Sequence, residues 1–328
     1  MPMITGQGAA LQIGKENNWG TASAPSVAVN FTSENFVLNV DRTEEDTLVG
    51  GATSREMDIM KKSVSFDFDQ LAKPDNIGFV IGNALGVEAT VTEEDDGSNK
   101  HTFTMLKPSL TASLPSFTAI VNRHVAKKGY TGCKINSLEI SCSAGDYMRL
   151  SVSGVGKDEV DGSALFDDEL EIPVLKAFRF AGGYCSFDGV EFGDVRNVTV
   201  SINNNLDEGE QTLGSGYYGT EPEPQKREVT TSIDTFYNAA SNTVRENKYK
   251  TENKVAVVLR FESPSEIDTG VKYRMEIEMP LVVVNECSPV IGGTEKIQLT
   301  IGGTATESAS AEAITIKLYD DKTSKYIA

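Results

Sequence analysis

From Gly129 to Lys157 the chain reads GYTGCKINSLEISCSAGDYMRLSVSGVGK, and apolar and polar positions alternate on both sides of a short turn. Leu138, Ile140 and Cys142 alternate with polar residues, as do Met148, Leu150 and Val152 after Ala144, Gly145 and Asp146. This period-two pattern predicts two half-buried strands joined as a β-hairpin, one face on a core and the other, built of Ser, Arg and Glu, toward water. The pattern returns near the end of the chain. From Tyr273, YRMEIEMPLVVVNECSPVIGGTEKIQLTIGG puts Ile297, Leu299 and Ile301 in the places of Met148, Leu150 and Val152, and Gly302 and Gly303 close it as Gly154 closes the first hairpin.

Two further echoes lie upstream, in the same order. ENFVLNV from Glu34 corresponds to RNVTVSI from Arg196, and SREMDIMKKSVSFDF from Ser54 to KREVTTSIDTF from Lys226. Three echoes in one order read as an internal repeat. The expected organisation is two tandem β-domains: an N-terminal arm over 1–30, a first domain over 31–157, an acidic linker over 158–173, and a second domain with its C-terminal tail over 174–328. A chain of 328 residues is long enough for two cores.

Each domain is predicted to carry one short helix. In the first, Pro74 opens DNIGFVIGNALG, with Asp75 as N-terminal cap, Phe79, Ile81 and Leu85 as the apolar stripe and Gly86 as the stop. The second helix is weaker, over Asp234–Glu246, with Phe236, Tyr237 and Val244 toward the core. The arm is expected to be extended and to dock by Trp19 on its own domain or on a neighbour. Two long charged or Gly-containing stretches, Asp41–Lys62 and Asn203–Glu228, read as loops at equivalent positions. The last alternating segment, Ile314–Tyr319, suits the covering of a sheet edge.

Composition narrows the function. Acidic residues number 48 against 30 basic, a net charge of -18, which argues against tight binding of nucleic acid, since affinity for phosphates comes from Lys and Arg. Cys133, Cys142, Cys185 and Cys287 have no CxxC spacing and read as small buried hydrophobes. The only histidines, His101 and His124, are dispersed. No serine stands in a strand-turn-helix elbow, no Gly-rich loop carries a phosphate-cradling Lys-Ser/Thr, and EEDDGSNK lacks the oxygen spacing of a calcium loop. No catalytic, cofactor or metal residues are assigned, and the reading is that of a structural or assembly protein. No leader-like apolar run or membrane span is apparent, so a cytosolic origin is expected.

The opening KENNWGTASAP, the strand-helix unit SVSFDFDQLAKPDNIGFVIGNALG, and the run LPSFTAIVNRHVAKKGYTGCKINSLEISCSAGDYMRLSVSGVGK resemble a tail tube protein (major tail protein) of long-tailed bacteriophages, in its tandem-domain form. In the second copy KREVTTSIDTF and the late hairpin match as well. The resemblance implies a mainly β fold of two tandem β-sandwich or half-barrel domains, each flanked by a short helix. It implies a closed ring barrel on oligomerisation, with three chains completing a pseudo-sixfold ring and rings stacking into a hollow tube. The polar faces of the two hairpins would line the lumen, through Glu139, Ser141, Arg149, Ser151, Ser153, Glu276, Glu278, Gln298 and Thr300. The arm and the two loops would supply ring-to-ring contacts, through Trp19, Arg42, Glu44, Glu45, Arg55, Glu56, Leu206, Tyr217, Tyr218 and Arg227. The implied partners are other copies of the chain, a tape-measure protein, a tail terminator and distal tail or baseplate proteins, with DNA transient in the lumen and no membrane. The implied location is the virion tail, assembled in the host bacterial cytoplasm, with no enzymatic activity and no cofactor. A β-sandwich decoration or adhesion protein, using Tyr217 and Tyr218 as an exposed contact, is the alternative reading.

Overall fold

A computed structural model describes residues 5–45, 53, 56–108, 112–207 and 209–327 of the chain. It is mainly β, with 52% strand and 8% helix. The first part holds β1 (Ala10–Lys15), β2 (Val27–Val29), β3 (Phe31–Glu44), β4 (Met57–Leu71), α1 (Pro74–Leu85), β5 (Gly86–Glu88), β6 (Thr92–Glu93), β7 (Asn99–Met105), β8 (Phe117–Asn122), β9 (Lys127–Ser143), β10 (Arg149–Gly156) and β11 (Asp158–Asp161). The second holds β12 (Gly183–Phe187), β13 (Val190–Glu191), β14 (Val195–Asn203), β15 (Glu228–Phe236), α2 (Ala239–Val244), β16 (Val255–Asp268), β17 (Val271–Cys287), β18 (Gln298–Ala305) and β19 (Thr315–Asp320).

The second set repeats the first down to the residue pairing. The order β3–β4–β10–β9 recurs as β14–β15–β18–β17, every pair antiparallel. Leu150, Val152 and Gly154 face Gln70, Phe68 and Phe66, while Leu299, Ile301 and Gly303 face Thr235, Ile233 and Thr231. Even the irregularities repeat. A β-bulge places an extra residue in one strand and bends it. Asn136 is the residue skipped between β9 and β10, and Asn285 the one skipped between β17 and β18. Thr32 and Arg196 are skipped likewise beside β4 and β15. This register aligns Phe36 with Val200 and Leu38 with Ile202, two positions on from the simple overlay of the upstream echoes.

Two layers result in each part. The C-terminal portions of β9 and β17, 17 residues each, sit in the repeated sheet, while their N-terminal portions cross into an outer sheet. The outer sheets are β2–β1–β8–β9–β11 and β13–β12–β16–β17–β19. Between the layers of the first part pack Phe36, Phe66, Phe68, Phe117 and Tyr130, with Phe36 and Phe66 stacked at 5.0 Å and Phe117 edge-on to Phe66 at 5.7 Å. In the second the corresponding layer is mostly aliphatic, with Val198, Val200, Ile233, Leu259, Ile277 and Ile301 all buried beside Phe261, and its own aromatic pair, Phe187 edge-on to Phe192 at 4.9 Å, lies at the outer sheet.

Several expectations change. The arm is not simply extended, because β1 pairs with β8 and buries Leu11 and Ile13. Asp158–Asp161, expected in the linker, forms β11 along β9. The stretch Asp41–Lys62 is partly strand, since Asp41 to Glu44 pair with Lys61 to Met57. α1 forms where predicted and ends at Gly86 in the left-handed conformation (φ 97°), but Lys73 occupies the cap position and Asp75 accepts from Val174 and Leu175 N–H at 3.0 and 3.2 Å instead. Nearly all of α1 is buried, so its apolar residues form no single stripe. α2 starts later than expected and continues past Glu246 as a π-helical turn over Arg245–Tyr249. Asp234 and Phe236 belong to β15, and Asn238 at the cap position forms a reciprocal capping box with Ser241 in the first turn of the six-residue helix.

Candidate functional site

The repeated sheet is continuous across the two parts, because β9 pairs with β14 over seven residue pairs, Ser143↔Asn197 to Ser137↔Asn203. The order is β3–β4–β10–β9–β14–β15–β18–β17. Successive side chains point to opposite faces, so one register row samples one face of all eight strands. The row through Glu139 reads Ser33, Asp69, Ser151, Glu139, Ser201, Thr230, Thr304, Val283. The row through Ser153 reads Asn35, Asp67, Ser153, Ser137, Asn203, Glu228. The opposite face is the buried core. One side of the sheet is therefore a broad surface of Ser, Thr, Asn and carboxylates.

The electrostatics of this face follow from its partners. Asp67 accepts from Asn35 at 3.1 Å and Asp69 from Ser33 at 2.8 Å. Asp234 accepts from Thr300 at 2.6 Å and from Asn197 at 3.2 Å. Neutral hydroxyls and amides hold these carboxylates, so the side chains that position them leave their negative charge uncompensated. Arg149 lies on the same face, 3.4 Å from Asp146 in an exposed pair, and Asp146 is held below the ordinary carboxylate range chiefly by the Tyr147 N–H, with Arg149 adding to it.

Seven of the nine residues assigned to a polar hairpin face fall on this surface: Glu139, Ser141, Arg149, Ser151, Ser153, Gln298 and Thr300. Glu276 and Glu278 do not. They lie in the outer-sheet portion of β17, ion-paired with Arg260 at 2.9 Å and with Lys317 at 2.6 Å, and Glu276 is buried. The reason is the length of β17. Cys287, not a residue near Ile277, faces Ile301, so the part of β17 that matches Glu139 and Ser141 begins past its end, at Ser288 and Val290. Sequence reasoning also missed Asp67, Asp69, Thr199, Ser201, Ser232 and Asp234, although the alternation in SVSFDFD, NVTVSIN and TTSIDTF marks them as the outward set.

The second group of candidates lies at one end of this sheet and is largely held by the chain itself. Trp19 donates its indole N–H to Gly132 O at 3.0 Å, with Lys157 Nζ 4.7 Å from the ring, so the arm docks on its own chain. Tyr218 donates to Asp158 at 2.6 Å, and that bond lifts its pKa to about 12. Tyr217 O accepts from Lys62 N–H at 2.8 Å, joining the two stretches expected to be loops. Leu206 N–H donates to Asn136 Oδ1 at 2.8 Å. Arg227 is inside the fold: it caps the carbonyl end of α1 through Ala84 and Leu85 O, and burial lowers its pKa to about 10. Arg42, Glu45 and Glu56 are exposed and Glu44 is half-buried, whereas Arg55 lies outside the described residues.

Among the described residues, no helix is long and apolar enough to cross a membrane. A family model described as "Phage tail tube protein" matches residues 6–311. No curated protein matches the chain. With nearly its whole length matched, the chain belongs to the phage tail tube protein family, and is a structural protein of the virion tail.

Proposed function

We propose that the two repeats are tandem tube domains, that three chains close into a ring of six, and that stacked rings form a hollow conduit lined by the polar face of the eight-stranded sheet. Support comes from one observation above all: the β9–β14 joint carries that face from one repeat to the next without a break. Eight strands from each of three chains make a barrel of about 24 strands. At a spacing of about 4.8 Å and a tilt of about 40°, such a barrel is roughly 45–50 Å across between backbones, wider than porins that already hold an aqueous channel. Uncompensated Asp67, Asp69, Glu139 and Asp234 on its wall would repel phosphates. DNA then slides past and is not held, as it would be by a Lys/Arg lining.

On this reading the chain is assembled in the host cytoplasm around a tape-measure protein, is bounded by terminator and distal tail proteins, and catalyses nothing. The direct test is electron microscopy of purified chain concentrated to assembly. Hollow tubes whose end-on averages show threefold symmetry with sixfold-like lobes are expected. Particles that never stack, or solid fibres, overturn the reading.

A further inference from the structure

The internal joint is a template for one that a single chain leaves unmade. β14 covers the outer edge of β9, but its counterpart β3 has no partner beyond β4 among the described residues. The counterpart edge of β17, continuing through Ser288–Ile291, is likewise uncovered, with Val290 and Ile291 at 67% and 75% exposure. We propose that β3 of a second copy of this chain pairs antiparallel with Glu286–Ile291, in the register of β14 on β9. Transferring the internal pairs through the repeat sets Asn39 opposite Glu286, Leu38 opposite Cys287, Val37 opposite Ser288, Phe36 opposite Pro289 and Asn35 opposite Val290. This rests on the assembly reading above, and adds which strands meet and in what register.

A proline in the new strand tests the register at once. In antiparallel pairs, alternate residues exchange both N–H···O bonds. Ala144 N–H to Arg196 O at 2.8 Å and Asn204 N–H to Asn136 O at 2.7 Å flank the internal ladder, so Ile140 and Val200 between them exchange such bonds. Their counterparts are Pro289 and Phe36. Pro289 has no N–H to give Phe36 O, and an unpaired carbonyl at a closed joint is costly. That carbonyl already has a donor: Arg123 Nη2 reaches Phe36 O at 3.2 Å while its guanidinium grips Glu34 at 2.8 and 2.9 Å. The missing donor thus falls opposite the β3 carbonyl that another group serves. On the other side of the segment, Val290 N–H bonds to Gln298 O at 3.3 Å, so the segment is already positioned against β18 with its odd residues outward. Such a joint is head-to-tail, and it closes a ring when the rotation at each joint is a whole fraction of a turn.

The test is cross-linking of assembled chain. Val37→Cys and Ser288→Cys occupy a non-exchanging pair, where facing Cα atoms come within disulfide range. After mild oxidation of tubes, the double variant should run on non-reducing gels as covalent species up to the trimer, reversed by thiol. Each single variant, and the slipped pair Asn35→Cys with Ser288→Cys, should stay monomeric. Tubes that form normally but cross-link only through the slipped pair, or through neither, overturn this joint and leave the assembly reading standing. A wild-type chain that forms no ring or tube overturns both.

Discussion

The two repeats share a register and differ in almost everything around it. In the first, Phe66 fills the space over Gly154, where an added Cβ would lie 2.5 Å from its ring; in the second, Gly303 pairs with Thr231 and an added Cβ would instead meet Val282, at 2.5 Å. The first has a buried 12-residue helix and an inserted β5–β7 unit; the second has a six-residue helix and a long excursion between β14 and β15. What the repeats keep is the bulges, the strand order and the outward polar set, which together set the shape and chemistry of one face. What they vary is what touches neighbours. The insertion crosses over, β7 adding to β19 of the second repeat, and the C-terminal segment returns to seat Tyr326 and Ile327 against Gly78 and Gly82 of α1.

The strongest way to break the comparison is at the matched core position. Phe66→Ala removes a ring packed on Phe36, Phe68 and Phe117, and should cost about 3–5 kcal/mol in chemical denaturation. Thr231 is buried with its hydroxyl unpartnered, so Thr231→Val should stabilise by up to about 1 kcal/mol. Losses of equal size at the two sites would mean that the repeats do not have distinct cores.

Next in size is the crossing itself. His101 on β7 is fully buried, with Nδ1 2.7 Å from Glu88 and Nε2 3.1 Å from Asp320 on β19's end. Burial alone would lower its pKa, but the two carboxylates and Lys322 O outweigh that and raise it to about 9. Tyr326 and Ile327 N–H close the cluster on Glu88, and Tyr326 OH on Asp320. A folded-state pKa above the unfolded one stabilises fully below about pH 6.5, and that stability is lost as pH rises through about 9. Stability should therefore fall by about 3 kcal/mol between those pH values, and His101→Gln should flatten the slope. An unchanged slope in the variant would show that the charged histidine does not weld the repeats.

How much of this was legible follows from which signals are local. The hairpin of β9 and β10, the repeat, α1 with its Gly86 stop, and the match of Leu150 to Leu299 were all readable, because alternation and turn residues report on neighbours in sequence. Glu276 and Glu278 were misplaced because a strand that changes sheets midway keeps its alternation, and period two does not say which layer a segment joins. β11, DEVD, was hidden among polar residues, and the short alternation of Leu11 and Ile13 in β1 was masked by the small and polar residues around it, its pairing being decided by distant partners. Asp75 looks like a cap by position, yet the Val174 and Leu175 amides, a hundred residues on, claim its carboxylate. Arg227 reads as a loop cation, and only the tertiary fold turns it toward the end of α1.

The finest difference between the repeats lies at their matching outer edges, Ile140 in one and Pro289 in the other. If Arg123 stands in for the N–H that Pro289 lacks, Pro289→Ala by itself offers a donor to a carbonyl already served, and should leave the concentration needed for assembly essentially unchanged. Arg123→Ala frees that carbonyl and also loses the Glu34 pair, so alone it weakens assembly for two reasons. In that background Pro289→Ala should recover roughly fivefold, about the worth of one net hydrogen bond. Comparing its effect in the two backgrounds cancels the Glu34 term and isolates the coupling. Light scattering across a dilution series gives all four numbers. Additive effects would place Arg123 and Pro289 in separate environments and remove the proline argument for the register, whereas a coupling of about 1 kcal/mol would mean that the joint between chains is the internal joint with one donor exchanged.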